Sequence, residues 1–386
     1  MQKLNSKQKK MMKKKILLFL VCTVPFSCNN SEIIPVIDLN NIKHSINLDI
    51  TDILKDITMV QISSDFLLSL DDKVYVTSRY LILYVNRESL HLFSRDGKHI
   101  RKLAERGNGP GEFYSIIDFF VDEEERILYY LDNFPQTRLN RIDINSGVTL
   151  EPLEIDFSTL TINYINGKIY SLPKFIWRGR TPFYPAGGYP DSAIVASSTS
   201  LPSGEITKYQ GQHNYSFLAV GSSITSYYDE IVLMNLGYSD TLFTLKDNKL
   251  SPLCILRLSD KMTNTDTDEK GSECRIISAY KNGIILSKIN YVTRPRLLME
   301  GREFFALYDR KGNIYKIDNI NVMNTKISNV NLIDPEKTWQ LSSLLPIICG
   351  KYGYMLVEYD FFEHRPPNSD PNNDNPIIIV GEVKYN

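Results

Sequence analysis

Histidine, tryptophan and cysteine are all scarce in this chain: five, two and five of 386 residues. Each scarcity removes a class of chemistry. His44, His91, His99, His213 and His364 are scattered, with no pair at the spacing of a metal site and no Cys-x-x-Cys beside them, so no metal is expected. Past Cys28 only Cys254, Cys274 and Cys349 remain. Three thiols form at most one disulfide, and their apolar neighbours in "LCIL" and "IICG" point to buried, reduced sulfur. A basic excess is missing too. The formal charge is −1, and residues 1–27 carry seven lysines and no acid, which leaves the rest with 37 basic against 45 acidic residues. Nucleic acid is therefore not an expected partner.

Cofactor loops are absent as well. In "RGNGPGEF", Arg106 to Phe113, three glycines alternate with other residues as they would around a phosphate. No Lys-Ser/Thr follows to make a P-loop, Glu112 stands where a Rossmann loop needs its third glycine, and no helix pattern follows Phe113. Gly107, Gly109, Gly111 and Phe113 read instead as a structural turn, and no cofactor is expected. The acidic stretches 264–273 and 368–376 fail the calcium-loop pattern: Lys270 replaces an oxygen ligand in the first, and Gly381 stands at the twelfth position of the second. Solvated hairpin tips account for both.

What the chain does have begins with a lysine-rich start, "MQKLNSKQKKMMKKK", running into "ILLFLVCTVPFSC". A positive region followed by an apolar stretch too short to span a bilayer reads as an export signal. Cys28 directly follows the small Ser27, where a lipoprotein signal places the thiol that takes the lipid. The reading is a signal peptide at 1–27, lipidation at Cys28, a tether over 28–45 and a folded domain from 46 to 386. From about residue 45 the texture is short runs rich in Val, Ile, Tyr and Phe, broken by Asp-Gly, Asn-Gly, Ser-Gly or Lys-Gly. Strands joined by tight hairpins have this pattern. Short helical pieces fit only near Ile53 and at Glu336 to Leu345.

Residues 32–386 divided by six give about 59 per unit, slightly longer than the repeats of four-stranded propeller blades. Within "GNGPGEFYSIIDFFVDEEERILYYLDNFPQTRLNRID" the glycine turn with Phe113, the strand end at Val121 and Asp122, the strand Leu128 to Asp132 and the strand Leu139 to Ile142 follow one another as in an NHL-type repeat. The chain resembles the six-bladed β-propeller lipoproteins abundant in Gram-negative gut anaerobes. That resemblance implies an all-β fold of four-stranded antiparallel blades, and it carries over no catalytic residue. A strand near "ITMVQIS" is expected to complete the last blade and close the ring. Ile57 and Met59 would face one side and Val60 and Ile62 the other, so both faces are apolar.

For function, "PKFIWRGRTPFYPAGGYP", Pro173 to Pro190, gathers aromatics and arginines in a stretch whose four prolines keep it from being a regular strand. Interfaces and sugar-stacking surfaces share that composition. Trp177, Arg178, Arg180, Phe183 and Tyr184 are the candidate ligand-binding residues. The one local acid/base pair, Glu363 and His364, would point to opposite faces of a strand. The reading is an exported, lipid-anchored binding module of the cell envelope, periplasmic or surface-facing on the outer membrane. Its partners would be the membrane, through the anchor, and a glycan, a peptide or an envelope protein. The alternative is an NHL-like lyase or hydrolase with its site in the central channel.

Overall fold

The computed structural model describes residues 34–386 except 71, 110, 133–137, 154–158, 166, 174–176, 179–180, 183–192, 202–205, 212–222, 228–229, 235–240, 247–248, 258–268, 294–299, 322–344, 358–369, 371–372, 374 and 386. The fold is an all-β propeller of mainly antiparallel sheets. An N-terminal segment supplies β1 (Val36–Asp38), β2 (Ser45–Asp49) and β3 (Leu54–Val60). The first sheet is β4 (Lys73–Val76), β5 (Tyr80–Val85), β6 (Ser89–Ser94) and β7 (His99–Glu105), and the second is β8 (Ile116–Asp122), β9 (Ile127–Asp132), β10 (Arg138–Asp143) and β11 (Thr149–Leu153). In the third, β12 (Thr159–Ile165) and β13 (Lys168–Pro173) are followed by a two-stranded hairpin, β14 (Trp177–Arg178) and β15 (Thr181–Pro182), before β16 (Ala193–Ser200) and β17 (Ile206–Gly211) complete the sheet. The fourth holds β18 (Ser223–Tyr227), β19 (Glu230–Met234), β20 (Thr241–Lys246) and β21 (Lys249–Arg257). The fifth holds β22 (Glu269–Tyr280), β23 (Gly283–Thr293), β24 (Glu300–Asp309) and β25 (Ile314–Asn321). The sixth is β26 (Ile347–Cys349), β27 (Tyr352–Val357) and β28 (Ile377–Val383), joined by β3.

First strands of successive sheets are neighbours: β4 packs on β8, β8 on β12, β12 on β18, β18 on β22 and β22 on β26, while β27 packs on β4. The core lies between facing sheets. Leu81, Leu83 and Phe93 of the first sheet meet Tyr354, Leu356 and Ile378 of the sixth, and Ile82, Tyr84 and Leu92 meet Phe119, Val121 and Tyr130 of the second. A middle strand is therefore apolar on both faces, which is why "YLILYV" of β5 is buried from Leu81 to Val85.

The N-terminal segment runs along the outer edges of three sheets. β1 pairs in parallel with β21, β2 in parallel with β25, and β3 antiparallel with β28. Two sheets are thus five-stranded and end in a parallel pair, a correction to blades of four antiparallel strands. Unpaired N–H and C=O groups at a sheet edge invite other chains, and these added strands cover them. Val36–Asp38 is thus already paired with β21 ahead of residue 46. A single turn, α1 (Ile50–Ile53), joins β2 to β3. Its capping box is closed at both ends, with Thr51 N donating to Asp49 Oδ1 at 2.8 Å and Asp49 N to Asp52 Oδ2 at 3.0 Å. Past it, Ile57 and Met59 pack against the core shared with the fifth sheet, whereas Val60 and Ile62 belong to the core shared with the first. The expected second helical piece, Glu336 to Leu345, falls almost wholly outside the described residues.

Candidate functional site

Polar groups converge where the first strands meet. Lys73 on β4 donates to Ile117 O at 2.5 Å and pairs with Asp118 at 3.5 Å, while the other oxygen of Asp118 accepts Ile162 N of β12 at 3.2 Å. One carboxylate thereby ties three consecutive sheets. At the far end of β8, Asp122 accepts Glu124 N and Glu125 N through one oxygen and Tyr164 O–H, at 2.8 Å, through the other. Burial, then the adjoining Asp122 carboxylate, pushes the Tyr164 phenol well above its usual range. Its ring stacks on Phe120 at 5.0 Å, and Phe120 stacks on Tyr129 at 4.9 Å. These carboxylates are occupied by backbone and phenol donors, so the arrangement positions sheets.

The glycine stretch connects β7 to β8. Arg106 and Phe113 form an isolated bridge, Gly107 N donates to Phe113 O at 2.9 Å, and Phe113 N donates to Glu105 O at 3.0 Å. Gly111 has φ +81°, in the left-handed region where glycine carries no Cβ penalty. The anion place of this loop is filled from within: Gly109 N donates to the Glu112 carboxylate at 2.6 Å, and a Cβ on Gly107 would stand 1.9 Å from that carboxylate. Phe113, 1% exposed, anchors the turn against Tyr84 and Tyr130. Beside it Arg106 lies 5.8 Å over the ring of the exposed Tyr114 and reaches Glu88, in the β5–β6 turn, at 3.2 Å.

One grouping escaped the sequence. His91 and His99, expected to be scattered, are in contact, with Nδ1 of His91 3.1 Å from Nε2 of His99 and Ser89 Oγ 2.8 Å from the other nitrogen of His91. They flank the Arg95-Asp96-Gly97-Lys98 turn, and the β6–β7 register slips at Leu90/His91 and again at Leu92/Phe93. His99 pairs with Phe93, two residues along β6 from His91, which makes its ring the diagonal neighbour of His91. The signal was present as a hairpin around Asp-Gly with a histidine on each arm. Phe66 covers the pair at 4.9 and 4.6 Å between ring centroids, and Phe93 closes the back.

His91 is 8% exposed, and burial, then His99, then Lys102 lower its pKa from the usual 6.5 to about 4. The Lys102 ammonium is itself paired with Glu105. Neutral His91 is the folded form, so its contribution to stability is complete above pH 6.5 and is lost as pH falls toward 4. By pH 5 the loss is on the order of 2 kcal/mol. The expected result is a smaller fall in Tm between pH 7.5 and pH 5 for His91→Gln than for the parent chain; equal falls would remove His91 from the pH response.

Of the candidate binding residues, Trp177 and Arg178 form β14, paired with Thr181–Pro182, so a small ladder stands where no regular strand was expected. Arg180, Phe183 and Tyr184 lie outside the described residues, as do Cys28, Glu363, His364 and residues 264–268 of the first acidic stretch, whose remainder lies in β22 and not at a hairpin tip. The second acidic stretch needs correction. Asn373 and Asn375, expected at a solvated tip, are each 4% exposed. Asn375 Oδ1 accepts Leu68 N at 2.7 Å, and its amide nitrogen donates to Ser63 O at 3.2 Å and Phe66 O at 2.5 Å. Asn373 donates to Ile62 O at 2.7 Å. The 62–68 segment has backbone groups that no strand pairs, and these amides satisfy them. Cys254, Cys274 and Cys349 are buried and form no disulfide among the described residues, and burial pushes the thiols of Cys254 and Cys349 up to about 12.

A protein of Bacteroides fragilis described as exported shares the fold at a TM-score of 0.56 and 14% identity, over 90% of this chain and 99% of its own. BamB of Moraxella catarrhalis aligns over 85% of this chain and 99% of its own at 9% identity and a TM-score of 0.37, too low to carry an argument. No curated protein matches the sequence. The model of one family, described as Domain of unknown function (DUF4934), matches residues 34–381, and the chain belongs to that family.

Proposed function

We propose that the protein is a lipid-anchored binding module of the cell envelope. Among the described residues, six sheets of four or five strands support reading it as a six-bladed propeller whose ring is closed through β3. The NHL-like turn, the leader with Cys28, and a structural neighbour described as exported support the same reading. The observation that carries the binding role is the connection between β13 and β16. These strands are paired neighbours in one sheet, from Lys168↔Ser200 to Ser171↔Ser197, and a hairpin of two to five residues would join them. The chain instead spends residues 174–192 there, with Trp177, Arg178, Arg180, Phe183 and Tyr184.

Strand alternation puts this second-to-third connection at the same end of its sheet as the sheet-to-sheet connections. In the first sheet the two kinds of connection touch, Arg106 N donating to Glu88 O at 2.7 Å. Tyr114 with Arg106 and the ends of β13 and β16 that the insertion joins fall at that end, which supports reading it as a surface for stacking on sugars or gripping an extended peptide. The test is an array of envelope glycans and peptides. Trp177→Ala combined with Arg180→Ala should weaken the best ligand at least tenfold without lowering Tm, and undiminished binding in that variant would sink the assignment of this surface.

A further inference from the structure

We propose that His91 and His99 form a two-histidine site for a divalent transition-metal ion of the imidazole-preferring class, with zinc as the reference member. The geometry requires little movement. Two nitrogens 3.1 Å apart, each bound at about 2.0–2.1 Å, subtend an angle of about 100° at a shared metal, between the square-planar and tetrahedral values. The outer contact is already made, because Ser89 Oγ lies 2.8 Å from Nε2 of His91 and accepts its N–H when Nδ1 serves as ligand. His91 is held by burial against Phe66 and Phe93, while His99 is exposed and its ring supplies the small rotation that brings both lone pairs onto one ion.

Proton balance is simple. The N–H that lies between the rings moves, through solvent, to the outward nitrogen of the same ring, and the metal takes its place with no net proton release. The charges facing the pair are Lys102, on the neighbouring strand, and Glu105, which pairs with it and offsets its repulsion. Among the described residues no third His, Cys, Asp or Glu joins the two, so the other positions belong to water. Such a site is exchangeable, and it is reached from the exposed side of His99.

Zinc ion alone, titrated calorimetrically into the full chain at pH 7.5 in a buffer without chelators, should give a saturable event. His99→Ala and His91→Gln should each weaken it at least tenfold, and Ser89→Ala, which removes the outer contact, by about tenfold. His44→Ala should leave it unchanged. Because His99 is exposed, His99→Ala is expected to keep the parent Tm without zinc. The ring signals of His91 and His99 should shift together in NMR spectra during the titration. Zinc affinity unchanged in His99→Ala, or no saturable event, would overturn the site.

Discussion

A chain that begins at residue 65 will not fold, whereas one that begins at Pro35 will. The segment between carries Leu48, Ile50, Ile53, Leu54, Val60 and Ile62, each at most 4% exposed. At about 1.5–3 kcal/mol for each buried side chain, their loss is on the order of 10 kcal/mol, the whole stability of an ordinary domain. The effect is concentrated in β3. Leu54 sits against Gly353 and Gly381, where an added Cβ would come within 2.9 Å of it, so two neighbouring strands are built around this one side chain. Without β3, β28 becomes an open edge and the cores on both sides of it lose a wall. An intermediate chain starting at Asp49 keeps α1 and β3 while losing β1 and β2, and it should fold with reduced stability. Circular dichroism and thermal melts separate the three. A cooperative transition in the chain from residue 65 would show that the sixth sheet does not depend on β3.

The propeller was legible because its signals are local. Asp-Gly and Asn-Gly turns, period-two runs and the glycine connection each lie within ten residues, and the structure uses them where the sequence puts them: Gly97 takes φ +86° in the β6–β7 turn and Gly111 takes φ +81° between sheets. The double-faced apolar pattern of "ITMVQIS" was local too. What stayed hidden depends on pairings across the chain. Three paired residues in β1 are too few to show a period, and a parallel edge strand has no hairpin turn to announce it. The histidine pair depends on the register of β6 on β7, which pairs Phe93 with His99 and so sets His99 diagonally to His91, and the alternation within each strand does not fix that register. Asn373 and Asn375 sit in a run of polar residues that reads as solvent-exposed, and only the position of residues 62–68, more than three hundred residues away in sequence, makes them interior groups.

Replacing Asn375 with alanine should therefore cost more than any surface asparagine. Its side chain serves three backbone groups, Leu68 N, Ser63 O and Phe66 O, and removing it orphans Leu68 N and Phe66 O beside the core of the first and sixth sheets, while Ser63 O keeps the bond from Phe66 N at 3.1 Å. Each buried orphan costs about 1–3 kcal/mol, so the expected loss is about 2–4 kcal/mol after partial rescue by water. Asn375→Asp keeps an acceptor for Leu68 N but turns a carboxylate oxygen toward two carbonyls, and at pH 7 it should be no better than alanine. The consequence reaches the histidines. Phe66 is positioned by this amide and roofs His91 and His99, so loosening the 62–68 segment should admit water to His91 and raise its pKa from about 4 toward 6.5. Thermal melts measure the first effect and NMR titration of the His91 ring the second. A variant with unaltered Tm would mean that water replaces all three bonds. A large fall in Tm with an unmoved His91 titration would mean that Phe66 is held by its aromatic contacts alone.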